Sequence, residues 1–362
     1  MRNTTFLISA ILTVTQVNTI TFADWNPQVY NAIKWTGPNQ GQATIAYTTN
    51  QGITRIPMAY HGGVDTNASG DISEKNIERF TNWSEERLPS HYCGPVVMDY
   101  EHPWWPELGA KELAPNRLEE IQSVYIEGAQ VALRVLPNAQ WGYWGLPLRR
   151  NTTDAWLSQG LSLEPLISQC AAVYPDIYDS NRGQDNSTQA KRHIESVLKE
   201  AAGRMPVYAF VSPRFTGEGG DHSYFIPDDI FLRHVNAAMQ AVWVDGSGIQ
   251  HRIQGLILWD AYGYTPESGW EELDKQHVNY FELLQALVTA WKKAMVGVTV
   301  EVGLESGSPC QYGLPEPNNS ENAIDDAPLQ NAGRMHDERI RDVPRIENDR
   351  IPSSRVKDDR IQ

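Results

Sequence analysis

The stretch Gly94-Pro95-Val96-Val97-Met98-Asp99-Tyr100-Glu101-His102-Pro103-Trp104-Trp105-Pro106 combines a strand pattern with paired acids and aromatic residues. Its apolar run ends abruptly, which predicts a buried strand whose pairing stops before the prolines that follow. Because side chains alternate along a strand, Asp99 and Glu101 should point to the same side, with Cβ atoms roughly 6.6 Å apart. Tyr100 should point to the opposite side. Chemistry is therefore expected where this strand ends.

The two acids differ in their surroundings. Carboxylates this close repel each other when both are ionised, so one pKa should rise. Glu101 lies one step closer to the aromatic rim of Trp104 and Trp105, which makes it the expected proton carrier. A bare Asp-x-Glu at a strand end is more often a solvated feature without a catalytic role. Apolar walls beside such a pair favour acid catalysis on a sugar instead.

Composition limits the number of domains and the kinds of partner. The chain has 362 residues, of which 41% are hydrophobic and 10% aromatic, enough for one barrel-sized domain and a tail. Its formal net charge of -15 argues against nucleic acid or anionic membranes as partners. Cys93, Cys170 and Cys310 allow at most one disulfide and form no Cys-x-x-Cys pair, so neither a metal site nor another cofactor is predicted.

The N-terminus has the pattern of an export signal. Arg2 precedes an apolar run over residues 6–14, and small residues at Thr21 and Ala23 suit cleavage after Ala23. The apolar run is too short to span a bilayer, although it could also be an ordinary buried strand. We therefore expect a signal peptide over 1–23 and a mature protein that is secreted or periplasmic.

Strand and helix patterns alternate through the middle of the chain. Strand patterns cover residues 29–35, 55–61, 96–98, 140–145, 172–178, 206–212 and 253–259. Helical patterns are opened by Asp71 with Glu74 in a capping box, start near Asn116, cover 187–202, run from 228 to 242, and cover 278–295. This order predicts an α/β fold, a TIM-like parallel (β/α) barrel with about seven strands and catalytic groups at the carboxyl ends of the strands. A doubly wound open sheet is the alternative, but no Gly-x-Gly-x-x-Gly follows the first strand.

The segment from residue 305 onward changes character. It is rich in Pro, Asn, Asp and Arg, and an acid-Arg-Ile unit recurs at 337–340, 349–351 and 359–361. Such a segment cannot bury enough apolar surface to offset its ordering entropy, which predicts a disordered charged tail over 305–362. The repeat could instead bind a partner. The catalytic domain is expected over 24–304.

Three other predicted strand ends are aromatic and polar, at 141–147, 174–179 and 258–264. A lone aromatic residue at a strand end is usually part of the core. Several of them beside paired acids predict a cleft lined by rings, on which sugar faces stack. Asp176, Asp179 and Asp260 are then rivals for the catalytic pair, ranked lower because only Asp99 and Glu101 share a face at the end of one short strand.

Over about residues 35–287 the chain resembles the hyaluronidase family of glycoside hydrolases. The resemblance rests on four motifs in the family's order: Val97-Met98-Asp99-Tyr100-Glu101, Trp141-Gly142-Tyr143-Trp144-Gly145-Leu146-Pro147, Tyr174-Pro175-Asp176-Ile177-Tyr178 and Gly255-Leu256-Ile257-Leu258-Trp259. It implies a distorted barrel with about seven strands, and a polysaccharide or oligosaccharide substrate that contains an N-acetylhexosamine.

The resemblance also implies roles for single residues. Glu101 would be the acid/base, and Asp99 would orient the substrate's N-acetyl group and stabilise its charge. Tyr178 would hydrogen-bond the acetamido oxygen, and Trp259 would pack against the acetamido methyl. The acetamido oxygen of the substrate is then the nucleophile, so the enzyme needs none of its own.

Further substrate contacts are expected from Tyr100, Tyr143, Trp144 and Phe215, two of which depart from the family pattern. Tyr100 stands where the family has Trp, Phe215 where it has a second active-site Tyr, and the family's disulfide cysteines have no match here. Two alternatives stay open: a glycosidase that uses two enzyme carboxylates, with Asp176, Asp179 or Asp260 opposite Glu101, and a carbohydrate-binding barrel that has lost catalysis.

Overall fold

The computed structural model describes residues 25–295 except 36, 38, 61, 181–184, 217–221 and 223. Helices and parallel strands alternate through this part, so the α/β class is confirmed. None of the helices described here has both the length and the apolar character needed to cross a bilayer. The export signal predicted over 1–23 and the tail predicted over 305–362 lie outside the described residues and stay predictions.

The bounds of the elements within the described residues are as follows. The strands are β1 Gln28–Asn31, β2 Thr54–Arg55, β3 Met58–Ala59, β4 Pro95–Met98, β5 Gln140–Tyr143, β6 Tyr208–Val211, β7 Trp243–Val244, β8 Gln250–His251 and β9 Gly255–Leu258. The helices are α1 Gln42–Gln51, α2 Glu74–Arg87, α3 Trp105–Leu108, α4 Pro115–Val135, α5 Asp154–Leu157, α6 Glu164–Ile167, α7 Ser187–Ala201, α8 Asp228–Gln240 and α9 Trp270–Met295.

The strands form two parallel sheets and one antiparallel pair. The four-stranded sheet has the order β2-β1-β9-β6, and the three-stranded sheet has the order β3-β4-β5. β7 pairs with β8. Six of the seven predicted strand positions coincide with strands of the two parallel sheets. The seventh, 172–178, makes only isolated bridges. A single closed barrel therefore stays a prediction, because the hydrogen-bonded ladders form two sheets.

The helices differ from the predictions in several places: α9 begins at Trp270 rather than at 278, and α1, α3, α5 and α6 have no predicted counterpart. The capping box of Asp71 and Glu74 is wrong, because Ser73 caps α2 and its hydroxyl accepts from the Asn76 backbone N–H at 3.3 Å. Helix α1 was not predicted, since the residues it buries are Thr44 and Thr48 rather than an apolar stripe.

Buried apolar side chains fall into two clusters. The first packs strand residues such as Val96 and Met98 against helix residues such as Ile121. The second, which we call the strand cluster, contains no helix residue; its members are Tyr30, Ala32, Ile56, Met58, Val97, Ala172, Tyr174, Tyr208, Phe210 and Ile257. Alternation along each strand explains the division, because Val97 joins one cluster and its two neighbours join the other. Both parallel sheets contribute to the strand cluster, so they face a common interior.

Candidate active site

Asp99 and Glu101 follow directly after β4, at the carboxyl end of the three-stranded sheet. The Asp99 backbone N–H donates to the Ala59 carbonyl at 2.9 Å, and the Trp105 N–H that begins α3 donates to the Glu101 carbonyl at 2.7 Å. The two half-buried side chains hydrogen-bond to each other. The structure therefore brings the predicted acid pair together on one side of the strand end.

The pair favours a state with one shared proton. Burial, together with the charges of Asp99 and Asp176, raises the pKa of Glu101 to about 8. Burial also raises the pKa of Asp99, to about 6, but the ammonium of Lys34 and the hydrogen bond to Glu101 oppose that rise. Such protons belong to the pair as a unit. Near neutral pH the pair therefore carries one proton, with Glu101 as its principal holder.

A third carboxylate lies close to the pair. Asp176 follows the bridge residues Val173 and Tyr174, and the backbone N–H of Tyr178 donates to its carboxylate. Burial raises the pKa of Asp176 to about 6, while the positive charge of Arg149 acts in the opposite direction. Asp176 therefore adds negative charge beside Glu101, which strengthens the tendency of Glu101 to keep its proton.

Aromatic rings form a continuous line beside the acids, which we call the aromatic row. Its rings are Trp105, Trp144, Tyr178, Trp259, Tyr264 and His222. Trp105 stacks on Trp144 with centroids 4.7 Å apart and planes 9° from parallel. Tyr178 lies 5.9 Å from Trp144 and stacks on Trp259 at 5.8 Å. Tyr264 continues the row at 6.0 Å from Trp259 and stacks on His222 at 4.1 Å. Such rings offer flat apolar faces to sugars.

The buried polar groups of the aromatic row include the Tyr178 hydroxyl and the indole N–H groups of Trp105 and Trp144. The side chains of Tyr178 and Trp144 hydrogen-bond to each other, whereas the Trp105 indole N–H has no hydrogen-bond partner among the described residues. Nearly all buried polar groups in proteins have a partner, so the Trp105 indole N–H can be satisfied by an oxygen atom of a ligand. Tyr178 lies within electrostatic reach of Asp176 and Glu101, which places its hydroxyl beside the acids.

The structure separates three of the predicted substrate contacts from this region. Tyr100 is 3% exposed, Tyr143 is 3% exposed and Phe215 is 4% exposed. All three belong to the first of the two buried clusters, in which strand residues pack against helix residues. Tyr100 donates to Asp65 at 2.6 Å, and Tyr143 donates to the Tyr125 carbonyl at 2.7 Å. Alternation along the strands explains why Tyr100 and Tyr143 point away from the site, since their chain neighbours Asp99, Glu101 and Trp144 point into it. They leave no surface for a sugar and support the site from behind.

Two of the three rival carboxylates also lie elsewhere. Asp260 is fully buried, where Arg214 contacts both of its oxygens at 2.9 and 2.8 Å and the His277 ring lies at 2.8 Å. Asp179 is 1% exposed and accepts from the Asn186 side chain at 2.6 Å. Both carboxylates are occupied by structural hydrogen bonds. Of the three rivals, Asp176 alone acts on the Glu101 carboxyl electrostatically.

Lys34 and Tyr264 belong to the site and were not singled out from the sequence. Lys34 is the last residue but one of the predicted strand 29–35. It lies at the same alternate positions as Tyr30 and Ala32, which is a signal for an in-facing charge. Tyr264 closes the aromatic motif at 258–264 and had no such signal. Within the described residues, no group of three or more His, Cys, Asp or Glu side chains has the arrangement of a metal site.

The fold is similar to crystal structures of bee venom hyaluronidase. A monoclinic crystal structure of that protein matches with a TM-score of 0.51 and 14% identity, covering 74% of this chain and 99% of that chain. A structure of bee venom hyaluronidase in complex with hyaluronic acid tetramer matches with a TM-score of 0.50 and 12% identity, over the same 74% and 99%. No protein-family model matches the sequence, and no curated protein matches it. At this identity the likeness shows a hyaluronidase-like fold and nothing finer.

Proposed function

We propose that this chain is a glycoside hydrolase which cleaves a polysaccharide at an N-acetylhexosamine, with Glu101 as its acid/base. The observation that carries the proposal is the Asp99–Glu101 pair, which shares a proton beside a row of aromatic rings. An acid that stays protonated near neutral pH can protonate a glycosidic oxygen, and the rings can hold sugar faces. Bee venom hyaluronidase, whose fold is similar, has been crystallised with a hyaluronic acid tetramer.

In the proposed reaction the substrate supplies the nucleophile. The acetamido carbonyl oxygen attacks the anomeric carbon of its own sugar while the bond to the leaving oxygen breaks, and Glu101 gives its proton to that oxygen. Asp99 stabilises the positive charge on the resulting oxazolinium ring. The Tyr178 hydroxyl donates to the acetamido oxygen, and Trp259, which stacks on Tyr178, packs against the methyl group. Water, deprotonated by Glu101, then opens the ring with retention of configuration.

A second mechanism uses Asp176 as an enzyme carboxylate opposite Glu101. The observation in its favour is that Asp176 is the remaining acid whose charge acts on Glu101. This mechanism does not need an acetamido group on the substrate, so rates on sugars with and without one separate the two. The third possibility, a binding barrel without catalysis, predicts glycan binding with no product.

We also infer that the two parallel sheets are parts of one seven-stranded barrel. Residues 54–59 carry the chain from β2 at one edge of the first sheet to β3 at the edge of the second, and the Val97 N–H donates to the Pro57 carbonyl between them at 3.0 Å. On the other side, bridges join Trp144 to Tyr174 and Val173 to Val207. The common strand cluster supports this closure. Export through residues 1–23, a catalytic domain over 24–304 and a charged tail over 305–362 complete the proposal.

The test compares Glu101→Gln with wild-type protein on a panel of N-acetylated and non-acetylated glycans, measuring newly formed reducing ends. Glutamine keeps the shape and removes the transferable proton, so turnover should fall by about 10² to 10⁴ while glycan binding survives. Exposed Glu112→Gln serves as the matched control and should leave turnover unchanged. Unchanged turnover in Glu101→Gln would show that Glu101 is not the acid/base. Equal rates on sugars without an acetamido group would favour Asp176 as the second carboxylate.

A further inference from the structure

Lys34 is held at the carboxyl end of β1 by its backbone. Its N–H donates to the Asp260 carbonyl at 2.7 Å, and its own carbonyl accepts from the Tyr262 N–H at 3.1 Å. These bonds form a parallel bridge between Lys34 and Ala261. Because the backbone is paired on this side, the position of the lysine relative to the site is set by the fold rather than by a free loop.

The side chain of Lys34 lies over Tyr60, next to the strand end that carries Asp99. Tyr30 and Ala32 belong to the strand cluster, and Lys34 follows at the next alternate position. Its ammonium lies 4.6 Å from the ring centroid of Tyr60, which itself packs on the strand cluster. Tyr60 directly follows β3, and β3 pairs with β4, so the ring of Tyr60 lies beside the strand end that carries Asp99. The ammonium accordingly acts on the Asp99 carboxylate.

The charged groups around Asp99 make this cation important. Glu101 follows it on the same strand end, and Asp176 adds a further negative charge beside Glu101. On the positive side, Lys34 acts on Asp99, whereas Arg149 acts on Asp176. Burial disfavours the ionised form of both members of the pair. Without Lys34, the surroundings of Asp99 would be acidic and apolar, and the shared proton could move from Glu101 to Asp99.

We propose that Lys34 is a positioning residue whose ammonium, held over Tyr60, keeps Asp99 ionised so that the proton of the pair stays on Glu101. This inference rests on the proposed function, in which Glu101 must arrive protonated and Asp99 must be negative when the oxazolinium charge forms. Lys34 acts through Asp99 and does not itself transfer a proton.

The first experiment measures kcat and KM against pH for Lys34→Met, Lys34→Arg and the matched control Lys111→Met, at an exposed lysine. The positive charge of Lys34 lowers the pKa of Asp99, so its removal in Lys34→Met should raise that pKa and move the acidic limb of the profile upward by about one pH unit. We expect kcat to fall at least about tenfold with KM changed less than about twofold, because the missing interaction matters in the transition state. Lys34→Arg should restore the limb, and Lys111→Met should leave it in place.

An unmoved limb in Lys34→Met, or an equal movement in Lys111→Met, would overturn the inference. A second measurement needs no turnover: a double-mutant cycle of Lys34→Met and Asp99→Asn, read as shifts of the urea unfolding midpoint. The shifts should be non-additive at pH 8, where Asp99 is ionised, and additive at pH 4. Additive shifts at both pH values would overturn the Lys34 inference alone, whereas full turnover in Glu101→Gln would overturn the proposed function. If Lys34→Met does not fold, Lys34→Gln replaces it in both measurements.

Discussion

Replacing Glu101 by glutamine should make the protein more stable, and the gain should depend on pH. The surroundings of Glu101 raise its pKa from the ordinary 4.5 to about 8 in the folded protein. A carboxyl group with a raised folded-state pKa contributes stability that is fully present below pH 4.5 and is lost as the pH rises through 8. Glutamine resembles the protonated acid and has no proton to lose. Its advantage should therefore appear across this window and level off above it.

The size of the gain follows from the proton affinity. Each tenfold change in that affinity is about 1.4 kcal/mol. The difference between the ordinary pKa of 4.5 and the folded-state pKa of about 8 therefore limits the gain in the free energy of unfolding to about 5 kcal/mol. Glu101 is only half-buried, and water that reaches the ionised carboxylate in the folded protein reduces the penalty. We therefore expect a gain in the free energy of unfolding of about 2 kcal/mol at pH 9, and one below about 0.5 kcal/mol at pH 4.

Urea unfolding followed by tryptophan fluorescence at pH 4, 6, 7.5 and 9 measures this difference between the variant and the wild type. Comparing the two proteins at each pH removes contributions from the other titrating groups. Exposed Glu112→Gln reports the general effect of exchanging glutamate for glutamine. A difference that stays constant from pH 4 to pH 9, or one that favours the wild type at pH 9, would refute the argument that burial and neighbouring carboxylates strain the ionised Glu101.

Two further substitutions test the surroundings of the site. Asp260→Asn removes a buried charge that contacts Arg214 and His277, so urea unfolding should show a loss of about 3 to 5 kcal/mol; a loss near zero would mean the network is not intact in solution. Gly145→Ala places a methyl group 2.3 Å from the Trp105 ring at a backbone φ of +69°. It should lower the free energy of unfolding by about 1 kcal/mol or more and weaken glycan binding. Unchanged binding would show that Trp105 does not contact the sugar.

The positions of several strands could be predicted because these strands are buried on both sides. Segments such as β4, β6 and β9 are continuous apolar runs with all four residues buried, which short sequence windows reveal. The segment 172–178 has the same apolar content but contains Pro175, which has no N–H to donate to a ladder. The Phe210 N–H still donates to the Pro175 carbonyl at 2.9 Å, so the segment lies at the predicted place and forms bridges only.

The site residues divide according to whether alternation alone could place them. Alternation placed Asp99 and Glu101 on one side and Tyr100 on the other, and the structure agrees with it. Tyr100 was nevertheless expected as a substrate contact, because it belongs to the same motif. It instead donates to Asp65 and accepts from the Trp104 indole at 2.8 Å, behind the acids. Side-chain direction is thus a better guide to contact than membership of a motif.

The remaining site residues depend on which strands are neighbours, and a single sequence does not contain that information. Lys34 influences Asp99 because its ammonium lies over Tyr60, which follows β3, the neighbour of β4. Asp176 influences Glu101 because its segment bridges to the end of β5. Each strand contributes only one or two in-facing side chains at its carboxyl end, while its other positions need only be apolar. The apolar strand positions and the polar residues at the strand ends are therefore set by separate requirements, so the fold can be similar at 14% identity without the same site residues.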